Sequence, residues 1–65
     1  MSTECPQYRA HYQTHDGTVW VHGSGPHDYR HSAIRDRNAV FKDGDVIAAW
    51  ITKDGETTGK TLEKK

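Results

Sequence analysis

The chain has 65 residues, only 32% of them apolar, and a mean hydropathy of −0.98. Nine lysines and arginines balance nine aspartates and glutamates. That length allows one domain with a thin core, and a neutral chain lacks the basic field of a nonspecific DNA binder.

No apolar stretch approaches the length of a membrane span. The N-terminus has no basic segment followed by an apolar run, so no signal peptide is read there. Cys5 is the single cysteine, which excludes an intrachain disulfide and suits a reducing compartment. The expected setting is cytoplasmic, with no membrane contact.

Residues 1–5 are polar and are predicted to be a disordered N-terminus, followed by a single small β-rich domain over 6–63 and a frayed C-terminus over 64–65. Tyr8, Ala10 and Tyr12 alternate with Arg9, His11 and Gln13, the period of a half-buried strand. Asp16-Gly17 then reads as a two-residue hairpin turn, because both residues tolerate the positive φ that such turns need. That register pairs Tyr12 with Val21, Gln13 with Trp20 and His11 with His22. It places Trp20 on the face opposite Tyr12 and Val21.

Gly23-Ser24-Gly25-Pro26 reads as a loop. Over 28–38 the expectation is a short helix or a loop, with Asp28 as a helix cap and Asn38 ending it in a left-handed conformation. Residues 39–42 read as a strand entering an Asp43-Gly44 turn, which pairs Val40 with Ile47 and Phe41 with Val46. Residues 45–52 are apolar on both faces, as a central strand would be. The Asp54-Gly55 turn returns residues 56–62, with Ile47 opposite Leu62 and Trp50 opposite Gly59.

The fold class that follows is α+β, mainly antiparallel β. An N-terminal β-hairpin leads through a short helix or loop to a three-stranded β-meander. These close as a small sheet or half-open barrel around Tyr12, Val21, Ile34, Val40, Ile47 and Ile51. The chain shows no resemblance to a known family.

Motifs for catalysis are weak. Gly55 to Thr61 ends like a phosphate-binding loop, but the first glycine is one residue too close and no helix can follow. Cys5 lacks a positioned base, and Ser24 and Ser32 have histidines near them only in sequence. A chain this short barely fills its own core and has little room for a substrate cleft. The chain is therefore read as not an enzyme and as needing no cofactor.

The leading functional expectation is a small non-enzymatic binding module acting through protein–protein contact and self-associating as a homodimer. Trp20 and Tyr29 are its candidate contact residues, since aromatics exceed what one thin core needs. One alternative is a nucleic-acid-binding module in which Arg30, Arg35 and Arg37 meet phosphates and Trp20 stacks on bases. Another is a histidine-based metal site, with His11 and His22 facing each other across the first hairpin.

Overall fold

In the computed structural model, which describes residues 6–64, the alternating N-terminal segment forms strand β1 (Tyr8–Thr14) and returns as a short strand β2 (Val19–Val21). Helix α1 (Arg30–Phe41) crosses over, and β3 (Val46–Lys53) and β4 (Glu56–Glu63) make a second hairpin. The strands form one antiparallel sheet in the order β2-β1-β3-β4. This is the α+β architecture expected from the sequence, as an open sheet with β1 and β3 at its centre. The expectations for residues 1–5 and for Lys65 lie outside the described residues. Lys64 is tied down by its N–H, which donates to Ile47 O at 2.8 Å, and by its ammonium, which lies over the Phe41 ring at 5.1 Å.

The first turn differs from expectation by one residue. Tyr12 pairs with Trp20 and His11 with Val21, not Tyr12 with Val21 and His11 with His22. The loop has three residues, His15, Asp16 and Gly17, closed by Thr14 N–H on Thr18 O at 3.0 Å. Gly17 has φ +87°, whereas Asp16 does not take a positive φ. The cause is local. Asp16 Oδ1 accepts the Thr14 hydroxyl at 2.6 Å and the Thr18 N–H at 3.0 Å, which fixes the turn before the glycine. A turn with one left-handed glycine at its end is the three-residue hairpin form. A one-residue slip flips every side chain of the return strand. Trp20 and His22 therefore join the face of Tyr12, and Val19 and Val21 move to the face of His11.

The Asp54-Gly55 elbow behaves as the sequence predicts. Asp54 (φ +51°) and Gly55 (φ +89°) are both left-handed, and Lys53 pairs with Glu56. Here the Asp54 carboxylate accepts the Gln7 N–H at 3.1 Å instead of holding its own turn. The predicted register continues through Ile51–Thr58 and then shifts. Trp50 alone spans residues 59–61, so Leu62 meets Ala49 and not Ile47. Gly59 at φ +74° carries this bulge.

Helix α1 starts and ends later than expected. Tyr29, not Asp28, is the N-cap, and no side chain caps the helix. Asn38 does not end it. Residues 39–41, read as a strand, are its last turn, and Lys42 closes it in a right-handed conformation. The predicted meander thus loses its first strand, along with the Val40–Ile47 and Phe41–Val46 pairs. Val40 lies seven residues beyond the buried Ala33, so helix continuation places it over the sheet, beside Tyr12 and Val46. Asp43-Gly44 becomes a helix-to-strand connection. Asp43 Oδ1 accepts the Asp45 N–H at 3.0 Å, and the first hairpin loop docks there through His15 N–H on Asp45 O at 3.1 Å.

The core lies between α1 and one face of β1 and β3. Ala10, Ala33, Ala49 and Ile51 are fully enclosed there, joined by Val46. Small alanines let the helix approach closely, which explains a core with one large enclosed side chain, Ile51. Val21, expected in the core, is 48% exposed because of the slipped register. Among the described residues no helix covers the other sheet face.

Candidate binding surface

The bare sheet face is organised around His11. Its ring stacks on Trp50 at 6.0 Å with 7° between planes, and its Nε2 meets Thr52 Oγ1 at 2.9 Å. Burial holds the imidazole below its ordinary value of 6.5, and the nearby Arg9 charge acts in the same direction. On this face Val21 stands opposite His11 and Val19 opposite Gln13. His11 and His22 point to opposite sides of the sheet, so the structure does not bring that expected pair together.

On the helix side, Trp20 is 48% exposed and its Nε1–H donates to Thr14 Oγ1 at 3.2 Å. That bond lays the indole along the sheet beside Tyr12. A shallow groove of about 310 Å³ opens next to it, lined by Tyr12, His22, Ala39, Val40, Asp43 and Val46. Tyr29 is 66% exposed at the entry to α1 and stacks on His31 at 5.5 Å.

The three arginines do not converge. Arg30 and Arg37 lie two helical turns apart on one stripe, and both reach the β4 bulge. Arg30 packs its guanidinium where a Gly59 side chain would sit, and Arg37 donates to Lys60 O at 3.1 Å. Arg37 also holds Asn38 Oδ1 at 3.1 Å. Arg35 is exposed on another side of the helix.

Sequence spacing gave no sign of a cluster around Asp36. His27 Nε2–H donates to Asp36 Oδ2 at 2.5 Å, and His22 Nδ1 lies 3.5 Å from the same oxygen. Ser24 directs both its N–H (3.2 Å) and its hydroxyl (2.7 Å) at His22 Nδ1. That nitrogen is therefore an acceptor. A hydrolytic relay needs the hydroxyl and the carboxylate on different ring nitrogens. Here they crowd the same one, so this trio holds a loop and does not form a relay. Among the described residues no group of three or more histidine, cysteine or acidic side chains is arranged to hold a metal ion.

The two sheet edges differ most. Strand β4 has Glu56, Lys60 and Glu63 along it and a glycine bulge at Gly59, all devices that discourage edge pairing. Strand β2 is Val19-Trp20-Val21, uncharged, unbulged and exposed at every residue. Hydrogen-bonded pairs at Thr14–Thr18 and Ala10–His22 point the N–H and C=O of Thr18 and His22 toward β1. By the alternation of an antiparallel ladder, those of Val19 and Val21 point outward. No known protein family, curated protein or solved structure matches this chain.

Proposed function

We propose that this protein is a non-enzymatic binding module acting by protein–protein contact through the β2 edge, with Trp20 as the central contact and Tyr29 at the periphery. One observation carries the reading. Among the described residues the exposed large hydrophobics are Val19, Trp20, Val21 and Tyr29, three of them consecutive on an edge that no other described strand pairs. Side chains alternate, so Trp20 offers an apolar surface on the helix side while the two valines offer one on the bare face. An extended partner segment added along this edge would gain main-chain hydrogen bonds and side-chain contacts together. Aromatic anchors such as Trp20 dominate interface energetics when they become fully covered.

Photo-cross-linking of the tagged chain in its host, from a diazirine amino acid placed at position 19 or 21 and read by mass spectrometry, tests the reading. Cross-links from residues 19–21 to a protein, copies of the chain included, are expected, with loss on Trp20→Ala. Absence of any protein cross-link to this strand overturns it.

A further inference from the structure

Resting on that reading, we propose that the partner at the β2 edge is a second copy of this chain, paired antiparallel about a twofold axis through Trp20. The outward-facing backbone groups belong to Val19 and Val21. A hydrogen-bonded pair across the new ladder must join two outward-facing residues. Centring the axis on Trp20 satisfies this throughout, since Val19 meets the partner's Val21 and the converse. Trp20 then faces its own symmetry mate in a non-hydrogen-bonded position, where Cα atoms approach to about 4.5 Å. Thr18 and His22 flank the indoles on the helix side. The same patch serves both copies, as a twofold interface requires.

Charge supports the occupant. The strand carries no charged residue and the chain is neutral, so two copies approach without repulsion. A charged or basic partner would find nothing here to pair with. The result is a continuous sheet, β4-β3-β1-β2 followed by the same strands in reverse, whose outer ends are the two guarded β4 edges. Closure at two guarded edges stops growth at the dimer. Three half-exposed side chains fall well short of the roughly 800 Å² per partner of a standard interface, so the dissociation constant should be on the order of 100 µM.

Sedimentation equilibrium from about 10 µM to about 1 mM, a range that brackets this affinity, tests the proposal. Dimer should appear with rising concentration. Val21→Pro deletes an outward N–H and leaves the bonds to β1 intact, so it should weaken association at least tenfold, on the order of a 1.4 kcal/mol loss. If that variant misfolds, the Val19→Lys/Val21→Lys double variant sets like charges opposite each other in the same register and should have the same effect. Oxidation with glutathione disulfide of an equimolar mixture of Val19→Cys and Val21→Cys chains, both in a Cys5→Ser background and both keeping Trp20, should form the mixed disulfide dimer far faster than either homodimer, because residue 19 meets residue 21 of the second copy.

A monomer throughout the range overturns the proposal, as does a dimer that survives the strand variants, or a mixed disulfide dimer that forms no faster than the two homodimers. In any of these cases the broader reading is judged separately. Cross-links from this strand to another protein keep it, and their absence removes it as well.

Discussion

His27 and Asp36 meet at 2.5 Å between the connection that follows β2 and the middle of α1. His27 also exchanges both backbone hydrogen bonds with Tyr8, at 2.9 and 2.8 Å. One residue thus ties the loop to β1 through its backbone and to the helix through its side chain. The helix has no side-chain cap at its start, and this bond ties its middle to the connection that precedes it. Asp36→Ala should cost about 1.5–3 kcal/mol, the range for a hydrogen bond to a charged group. Asp36→Asn keeps an acceptor and should cost clearly less. Urea unfolding checks both, and equal losses would show that the aspartate matters through its charge alone.

Ile51 carries a second prediction. It is the one large side chain fully enclosed in the described core, whose other enclosed members are mostly alanines. Ile51→Ala should cost about 2–5 kcal/mol through lost burial and the cavity left behind. A core of this size rarely supplies more than about 3–5 kcal/mol in total, so the variant should lose its cooperative thermal transition. Val19→Ala removes comparable apolar surface from a 54% exposed site and should shift stability by less than about 0.5 kcal/mol. Circular dichroism melts separate the two.

The sequence made the secondary structure legible wherever periodicity was strong. The alternation in β1, the two-sided apolar run of β3 and the left-handed Asp54-Gly55 elbow all point to what is observed. Legibility failed where one dipeptide supports several turns. Asp16-Gly17, Asp43-Gly44 and Asp54-Gly55 form a three-residue hairpin, a helix-to-strand connection and a two-residue hairpin. The choice depends on what each carboxylate accepts: Thr14 and Thr18, Asp45, or the distant Gln7. Flanking threonines could have signalled the first case. The third bond, across 47 positions, exists only after folding. Residues 39–41 find no place beside β3, because β1 and β4 take both of its edges, and as helix they set Val40 beside Tyr12 and Val46. Trp20 and Tyr29 are exposed, as a contact role needs. Arg30 and Arg37 attend to the β4 bulge, which no sequence period announces.

Gly59 and Arg30 give a third prediction from that bulge. At φ +74° an L-alanine is strained by about 1–2 kcal/mol whatever space surrounds it. The Arg30 guanidinium also occupies the volume a Cβ would need, but it is the far end of a flexible side chain and can move. Gly59→Ala should therefore destabilise by about 1–2 kcal/mol, and nearly the same loss should remain in an Arg30→Ala background. A double-mutant cycle in urea measures the coupling. Coupling as large as the single effect would mean that displacement of the guanidinium, not backbone strain, limits the site.

His11 supplies the pH dependence. Its folded-state pKa lies below 6.5 because burial disfavours the imidazolium, with Arg9 adding to the effect. The unfolded chain therefore takes up this proton more readily than the folded one. A histidine depressed in this way contributes stability above its unfolded value, and the contribution is lost as pH falls through 6.5 toward the folded value. Protonation also forces Nε2 to act as a donor to Thr52 Oγ1 and places a second charge beside Arg9 on the stack with Trp50. Wild-type stability should drop between neutral pH and about pH 5, and the drop should be smaller in His11→Gln, which keeps a polar partner for Thr52 but does not titrate. The variant comparison isolates His11 from His22 and His27, whose contacts with Asp36 lie on the other face of the sheet. An NMR titration of the His11 ring should place its midpoint below 6.5. A midpoint at that value removes the effect, and one above it reverses the sign, so that stability would rise on acidification through this residue.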